Sequence, residues 1–373
     1  MSQPVYYHYD DFPPTNIDWS QLIPYIGKAN AALARYDGTL EAIPNANLLL
    51  SPLTTQEAVL SSRIEGTQAT MGEVLEYEAE KESKNISAEK KNDINEVLNY
   101  RQAMRVATEL LQELPLCQRV IKQTHHVLLE GVRGYGQSPG KYRQIQNWIG
   151  SPGCSINEAR YVPISVDRLQ EGLDKWEQFI HADAPDRLVQ LALIHAEFEA
   201  LHPFLDGNGR LGRMCVPLFM YQAGLIKSPT FYISAFFETN RDEYYERLLA
   251  ISRDKDWTSW CAFFLEAVKV QAQENQIKAK EILKLYETKK SEIVNLTRSQ
   301  YAIYTLDFIF SRPIFKSSDF INCNEIPVAT AKRILSVLKD NEILILLREG
   351  SGRRPAVYAF SELLEVSEGR NVF

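Results

Sequence analysis

The order of hydrophobic and polar positions along this chain of 373 residues predicts mostly helices. The clearest pattern is "DRLVQLALIHAEFEALHPF" at residues 186–204, which is apolar on nearly every side and predicts a central buried helix. A second pattern, "SPLTTQEAVLSSRIEG" at 51–66, predicts a helix capped by Thr54 near its start and by a left-handed Gly66 after its end. The expected fold class is therefore mainly α.

Two stretches depart from the helical pattern. "GKYRQIQNWIGSPGCSINEARYVPIS" predicts a small β-hairpin in which residues 142–149 pair with 160–162 across a Ser-Pro-Gly turn. Residues 298–373 predict a winged helix, with three helices and a two-stranded wing. We expect a helical N-terminal region at 1–110, a helical core at 111–270, a linker helix at 271–297 and the winged-helix domain at 298–373.

Composition and charge narrow the classes of function. The net charge of -7 is unlike that of a general nucleic-acid binder, and residues 296–373 carry ten Lys or Arg against nine Asp or Glu. The five cysteines are scattered without a CxxC pair, which favours reduced thiols over disulfides or a zinc site. No signal peptide or membrane span is recognisable, so we expect a cytoplasmic protein.

The stretch "ALHPFLDGNGRLGRMC" at 200–215 concentrates the candidate chemistry. The turn formed by Gly207, Asn208 and Gly209 precedes a helix, so its backbone N–H groups can face an anion at the positive end of the helix dipole. Arg210 and Arg213 lie three apart, so both can contact phosphate oxygens from one helix face. The stretch therefore predicts a site for more than one phosphate group.

Two further side chains in this stretch suggest a reaction. Asp206 offers the kind of oxygen ligand that holds Mg²⁺ against phosphates. His202 ends the central helix and can accept a proton near neutral pH, so it is the candidate general base. His195 and His202 could instead form a metal pair, but no third ligand stands at a suitable spacing, which disfavours zinc.

This stretch resembles the signature of the Fic family, His-x-Phe-x-(Asp/Glu)-Gly-Asn-Gly-Arg-x-x-Arg, at every fixed position: His202, Phe204, Asp206, Gly207, Asn208, Gly209, Arg210 and Arg213. The resemblance implies a mostly helical Fic core that transfers AMP from ATP to a Tyr, Thr or Ser hydroxyl of a target protein, itself included. It also implies that His202 takes the hydroxyl proton and that Asp206 holds Mg²⁺. Asn208 with the glycine amides would form the anion hole, with Arg210 on the β-phosphate and Arg213 on the γ-phosphate.

The same resemblance extends to residues outside the motif. The hairpin is similar to the family's target-docking flap, which implies that Arg160, Tyr161 and Val162 form the edge for an extended target segment; an ordinary surface hairpin is the alternative. "FYISAFFETNRDEYY" resembles the segment that closes over adenine, with Tyr232 and Asn240 as contacts. A core tyrosine and a helix-capping asparagine are the alternatives for this pair.

A second motif bears on regulation. Glu65 ends a helix at its electronegative end, where Lys or Arg is favoured, so its partner is expected elsewhere in the fold. "SSRIEG" resembles the family's inhibitory pattern (Ser/Thr)-x-x-x-Glu-(Gly/Asn), carried here by Ser61, Glu65 and Gly66. The resemblance implies auto-inhibition, in which Glu65 pairs with Arg213 and occupies the arginine meant for the γ-phosphate.

Other functions stay open at this point. One is related Fic chemistry, either transfer of another nucleotide or removal of AMP. Another is a DNA-binding regulator, whose winged helix would present Thr330, Lys332 and Arg333 on its recognition helix and Arg348, Arg353 and Arg354 on its wing. The near-neutral charge of this domain favours protein docking or dimerisation over DNA contact, and the long helix at 266–297 favours a homodimer.

Overall fold

The computed structural model describes residues 3–43, 45–80, 86–132, 136–352 and 354–369. Most of these residues are helical, which confirms the mainly α prediction. The chain forms two compact units, each assembled from separate stretches. The first contains residues up to 37, 60–67 and 98–274, and the second contains 38–59, 68–97 and the residues from 275 onward. These units are interleaved along the chain, and the linear domain boundaries stay a prediction.

The first unit is a group of helices with one small sheet. Its helices are α1 (Trp19–Glu41, to residue 37), α6 (Gln118–Leu128), α7 (Val166–Ile180), α8 (Arg187–Leu201), α9 (Asn208–Gln222), α10 (Ser234–Thr239) and α11 (Arg241–Asp254). The two strands β1 (Val5–Tyr6) and β2 (Tyr161–Val162) pair in parallel. Helices α3 (Ser51–Ile64), α5 (Ala88–Leu110) and α12 (Trp257–Thr297) contribute residues to both units.

Helix α8 is the centre of the first unit, as its apolar sequence predicts. Asp186 caps its start by accepting hydrogen bonds from the N–H groups of Leu188 and Val189, each at 2.9 Å. The helix is buried along nearly its whole length, and its residues Phe198 and Leu201 are fully enclosed. The indole N–H of Trp176 donates to the Ile194 carbonyl at 2.9 Å, so this large ring is buried without losing its hydrogen bond.

The segment that contains β1 is anchored on α8 by a buried carboxylate. Tyr7 Oη donates to Glu197 Oε1 at 2.5 Å, and His8 Nε2 lies 2.8 Å from Glu197 Oε2. Glu197 is fully buried, which is tolerated because both of its oxygens have partners. The residues near the start of the chain therefore form part of the core around the central helix.

The second unit contains the residues that follow α12. Its helices include α2 (Ala46–Leu49), α4 (Met71–Glu80), α13 (Ala302–Ser311), α14 (Ser317–Ile321), α15 (Val328–Asp340) and α16 (Ser361–Glu368). The strands β3 (Ile314–Lys316), β4 (Ile345–Arg348) and β5 (Val357–Ala359) form an antiparallel sheet in the order β3-β5-β4. The sheet has one strand more than the two-stranded wing expected, and the winged-helix identity stays a prediction.

Two local expectations were wrong. Helix α3 begins at Ser51, so Thr54 lies inside its first turn and does not cap it. Pro52 explains the earlier start, since proline suits the first turn, where its missing N–H has no helical partner. The predicted hairpin is reduced to one antiparallel bridge between Ile149 and Tyr161.

No helix in the described part of the chain is both long and apolar enough to cross a membrane.

Candidate active site

The loop between α8 and α9 is held by contacts to its backbone. His202 ends α8 in a left-handed conformation, with φ of 47°, and turns the chain into the loop. The carbonyl group of His202 accepts a hydrogen bond from Arg143 Nε at 3.0 Å, and Asn147 Nδ2 donates to the Phe204 carbonyl at 3.0 Å. Arg143 is buried and satisfies carbonyl groups that the end of a helix leaves open.

Asn208 fixes the same loop with both atoms of its side-chain amide. Its Oδ1 accepts from the Phe204 N–H, and its Nδ2 donates to the Phe204 carbonyl, each at 2.9 Å. These two hydrogen bonds use the Oδ1 atom and one of the two N–H groups of the amide, so a role of Asn208 in the anion hole stays a prediction. The backbone N–H of Asn208 lies in the first turn of α9, where N–H groups have no helical acceptor.

His125 supports the loop from α6. The Gly140 N–H donates to His125 Nδ1 at 2.8 Å, so this nitrogen carries no hydrogen and Nε2 donates to the Asp206 carbonyl at 2.9 Å. The imidazole ring also stacks on Phe204, with the ring centroids 3.7 Å apart. Burial lowers the pKa of His125 to about 4, so it acts as a neutral positioning residue.

His202 is arranged to accept a proton. Its Nδ1 lies 3.4 Å from the carbonyl oxygen of Glu199, which can only accept, so Nδ1 carries the hydrogen and Nε2 keeps its lone pair. Burial lowers the pKa of His202 to about 4, which keeps the ring neutral near pH 7. Both ring nitrogens of His195 have other partners, Gly212 and Tyr244, so the two histidines do not form a metal pair.

The start of α9 has features that suit the binding of an anion. Gly207 has φ of 79°, a conformation that glycine adopts without strain, and this turn starts the helix at Asn208. Arg210 is buried, and its Nη2 lies 3.4 Å from Asp206 Oδ1. An anion here would meet the positive end of the helix dipole and a guanidinium group.

Asp206 fits a metal site that takes its other ligands from phosphates and water better than a site built from protein side chains alone. Its Oδ1 accepts from the Gly207 N–H at 2.6 Å, while the side chain is 37% exposed and can offer Oδ2 to a ligand. Among the residues described, no group of three His, Cys, Asp or Glu is gathered that could bind a metal alone. A lone carboxylate suits Mg²⁺, which takes its other ligands from phosphates and water.

Arg213 is held by the predicted inhibitory motif. Its Nε donates to Ser61 Oγ at 2.9 Å, and its Nη2 donates to the Ser61 carbonyl at 2.9 Å and to Glu65 Oε1 at 2.6 Å. Gly66 has φ of 99°, so a glycine is favoured at the turn that follows Glu65. The structure thus brings Ser61, Glu65 and Arg213 together, as the sequence motif predicts.

The ion pair between Glu65 and Arg213 is only partly buried. Arg213 has a side-chain exposure of 1%, but the Glu65 side chain is 33% exposed. Burial would raise the pKa of Glu65, but the charge and hydrogen bond of Arg213 outweigh it and hold this pKa below its usual range. Glu65 is therefore ionised at neutral pH and remains partly accessible to solvent.

Tyr232 and Asn240, the residues expected at the adenine, have contacts of their own. Tyr232 is buried and close enough to Tyr36 to influence its pKa, and Asn240 Nδ2 donates to the Phe236 carbonyl at 2.9 Å between α10 and α11. These environments fit a core tyrosine and an asparagine at a helix junction. A role of Tyr232 and Asn240 at adenine stays a prediction.

Residues 160–162, expected to form a free strand edge for a target segment, already have backbone hydrogen bonds on both sides. On one side, Tyr161 exchanges hydrogen bonds with Ile149, at 2.9 and 3.1 Å. On the other side, the Val5 N–H donates to the Arg160 carbonyl and the Tyr7 N–H donates to the Val162 carbonyl. The prediction of a free edge was wrong because β1, distant in sequence, completes this strand.

Four residues of the site were missed by sequence reasoning: His125, Arg143, Glu199 and Tyr245. The pKa of Tyr245 is raised to about 12 by burial and by the nearby Glu65 carboxylate, which places it beside the inhibitory contact. Each of these residues acts through a contact with residues distant in the chain. No local spacing could have identified them, although a histidine inside an amphipathic helix was a weak signal for His125.

Comparison with known families supports this description. The family model described as Fic/DOC family N-terminal matches residues 23–109, and the Fic/DOC family model matches residues 115–220. The protein adenylyltransferase Fic of Drosophila ananassae is 26% identical over 168 residues, which are 43% of this chain and 31% of that protein. The same enzyme of Drosophila grimshawi is 26% identical over 196 residues, 50% of this chain and 37% of the relative. The alignments thus span about a third of these relatives.

Solved structures share the fold. A Fic family protein from Desulfovibrio desulfuricans has a TM-score of 0.57 at 17% identity, with 91% of this chain and 95% of that chain covered. A Fic domain containing signaling protein from Bacteroides thetaiotaomicron has a TM-score of 0.56 at 16% identity, with 69% and 97% covered. Together the two family models cover more than half of the 373 residues. The chain belongs to the Fic/DOC family.

Proposed function

We propose that this chain is an auto-inhibited protein adenylyltransferase that transfers AMP from ATP to a Tyr, Thr or Ser hydroxyl of a target protein. The observation that carries the proposal is the neutral His202 at the end of α8, whose Nε2 is left to accept a proton and which begins the loop that leads to the start of α9. The adenylyltransferase relatives support the same chemistry at modest identity.

In this reaction His202 Nε2 takes the proton from the target hydroxyl as its oxygen attacks the α-phosphorus. A bond forms between this oxygen and the α-phosphorus, and the bond to the oxygen bridging the α- and β-phosphates breaks, releasing pyrophosphate. The N–H groups at the start of α9 stabilise charge on the phosphates, with Arg210 at the β-phosphate and Arg213 at the γ-phosphate. Mg²⁺ held by Asp206 would neutralise phosphate charge when bound.

Regulation follows from the contact between Glu65 and Arg213. While Arg213 pairs with Glu65, it is not available to orient the γ-phosphate, and the α-phosphate is not aligned for attack. Keeping 99% of molecules in the closed state requires a free-energy difference of about 2.7 kcal/mol between the closed and open states. This is half of the roughly 5.5 kcal/mol needed to shift an equilibrium from 1:99 to 99:1. A hydrogen bond to a charged group contributes about 1.5–3 kcal/mol, so the contact between Glu65 and Arg213 supplies from about half to all of this free energy.

Two features of the proposal concern surfaces. A target segment that adds to the flap would use the outer edge of residues 145–150 or displace β1, because residues 160–162 are paired on both sides. For the C-terminal domain we favour docking of a protein or a second copy over DNA. Arg348 and Arg354 of the expected wing both pair with Glu80, whereas Arg353 lies outside the described residues.

Isotope labelling tests the function. The wild type and the variants Glu65→Gly, His202→Ala and Glu65→Gly/His202→Ala are incubated with Mg²⁺ and with ATP labelled at the α- or the γ-phosphorus. We expect α-label on protein in Glu65→Gly and none when His202 is replaced. Label from the γ-position would indicate kinase chemistry, release of AMP from a modified protein would indicate deAMPylation, and DNA retention without any label would favour the DNA-binding regulator.

A further inference from the structure

Glu199 lies on α8 one turn before His202, and the proposed mechanism gives its side chain no role. Its Oε1 is buried and has no hydrogen-bond partner among the residues that the structure describes. A buried carboxyl oxygen without a donor lowers stability, so such groups in native proteins call for an explanation. The neighbours of Glu199 suggest one.

Two glycines on α9 bring carboxyl groups onto this helix. A Cβ on Gly212 would lie 2.3 Å from Glu199 Oε1, and a Cβ on Gly209 would lie 2.2 Å from Glu65 Oε1. Positions three apart on a helix face the same side, with Cβ atoms about 5–6 Å apart. Glu199 and Glu65 therefore occupy adjacent places on the helix that carries Arg213, and only Glu65 holds a hydrogen bond to that arginine.

The charges around Glu199 make its protonation sensitive to whatever anion binds. Burial raises the pKa of Glu199 to about 7, while Arg213 opposes this rise and Glu65 adds to it. The titratable and charged groups that face it come from α9, from the turn after α3 and from α11: Arg213, Cys215, Glu65, Tyr244 and Tyr245. Replacing the single charge of Glu65 by a triphosphate would increase the negative charge beside Glu199.

We infer that Glu199 is a further residue of the nucleotide site, which holds a proton while ATP is bound and donates a hydrogen bond to an oxygen of the terminal phosphate. One proton passes from solvent to Glu199 as ATP binds and returns when ATP leaves. No bond to the nucleotide is formed or broken. This inference rests on the proposed function, because it takes ATP as the ligand.

The inference predicts that ATP binding is coupled to pH once Glu65 is removed. Without the Glu65 charge, Glu199 is more readily ionised in the free protein, so it must take up a proton when the nucleotide enters. Above the pKa of Glu199, a coupled proton weakens ATP binding about tenfold for each pH unit. Glutamine has the shape of protonated glutamate and offers an N–H donor, so Glu199→Gln removes the coupling and keeps the donor.

Calorimetric titration with ATP and Mg²⁺ between pH 6.5 and 9 tests this inference. The background is Glu65→Gly/His202→Ala, which opens the site and prevents turnover. We expect ATP binding to weaken by roughly tenfold per pH unit above pH 7.5 in this background, and to change little when Glu199→Gln is added. Phosphate protonation near pH 6 affects ATP equally in both proteins. The control Glu171→Gln, at a carboxylate that is 48% exposed, should keep the full slope.

Proton uptake gives a second measurement that does not depend on affinity. The binding enthalpy is compared in two buffers of different ionisation enthalpy at pH 8, and the difference should report nearly one proton in the background and none with Glu199→Gln. Equal pH slopes and equal uptake, with ATP still bound, would overturn the role of Glu199 alone. Absence of ATP binding in every variant, each melting as the wild type does, would overturn the proposed function as well.

Discussion

The carboxylate of Glu65 accepts a 2.6 Å hydrogen bond from the guanidinium group of Arg213, which lies 148 positions later in the chain. The arginine is 1% exposed, whereas the glutamate is 33% exposed. This asymmetry suits a switch, because the arginine stays fixed in the site while the glutamate can be displaced into solvent. The contact therefore provides a direct test of regulation.

Replacing Glu65 by glycine should increase AMP transfer at least tenfold, because Arg213 becomes available to the γ-phosphate. Ser61→Ala should increase transfer less, since Arg213 loses the hydroxyl acceptor at Nε but keeps the Glu65 partner. Incorporation of α-labelled AMP into protein measures both effects. Arg63→Gln, on the same helix, is the control and should behave as the wild type. Unchanged transfer in Glu65→Gly would disprove auto-inhibition by this residue.

His125→Leu should reduce both stability and transfer measured in a Glu65→Gly background. The leucine fills the space of the ring but removes the partners of the Gly140 N–H and the Asp206 carbonyl. Each buried group left without a partner costs about 1–3 kcal/mol, so denaturant unfolding should show a loss of that order. His126→Asn, at the exposed neighbouring position, should change neither quantity. A stable His125→Leu protein with normal transfer would contradict the positioning role.

Acid should destabilise the protein through its buried neutral histidines. Burial lowers the pKa to about 4 for His125 and His202 and to about 3 for His195. The unfolded chain binds these protons near pH 6.5, so the stabilisation is complete above that pH and is lost as the pH falls toward 4. Each histidine contributes about 1.4 kcal/mol per pH unit in this window.

Urea unfolding at pH 7 and pH 5 measures this loss, which should be about 6 kcal/mol for the three histidines, because pH 5 lies about 1.5 units below their unfolded pKa. His195→Gln should show a smaller difference between the two pH values, because one of the three groups no longer titrates. The prediction fails if the free energy of unfolding is the same at both pH values.

Glu80→Gln should weaken the second unit. Glu80 is mostly buried, with 14% of its side chain exposed, and it pairs with both Arg348 and Arg354. Loss of its charge leaves two arginines close together and should cost about 1–2 kcal/mol in denaturant unfolding. The exposed Glu89→Gln is the control. An equal free energy of unfolding for Glu80→Gln and the wild type would contradict the pairing argument.

The sequence by itself determined the central helix and the positions of the candidate site residues that follow it. Helical periodicity is local, so the apolar pattern of residues 186–204 was sufficient to predict α8 and its burial. The motif spacing likewise predicted which residues lie at the start of α9, and the pattern at 61–66 predicted the partner of Arg213. Gly66 also has the positive φ that its position implied.

Only the tertiary structure decided which partners those residues take. The sequence predicts a free strand edge at residues 160–162. In the fold, β1, more than 150 positions earlier in the chain, pairs with this edge. Only the fold likewise places His125 in hydrogen-bond contact with the Asp206 carbonyl and places the Glu199 carboxyl group next to Gly212. Neither His125 nor Glu199 belongs to a motif with recognisable spacing. Periodicity and spacing report the conformation of neighbours along the chain, whereas burial, pKa and hydrogen-bond partners depend on residues that meet only when the chain is folded.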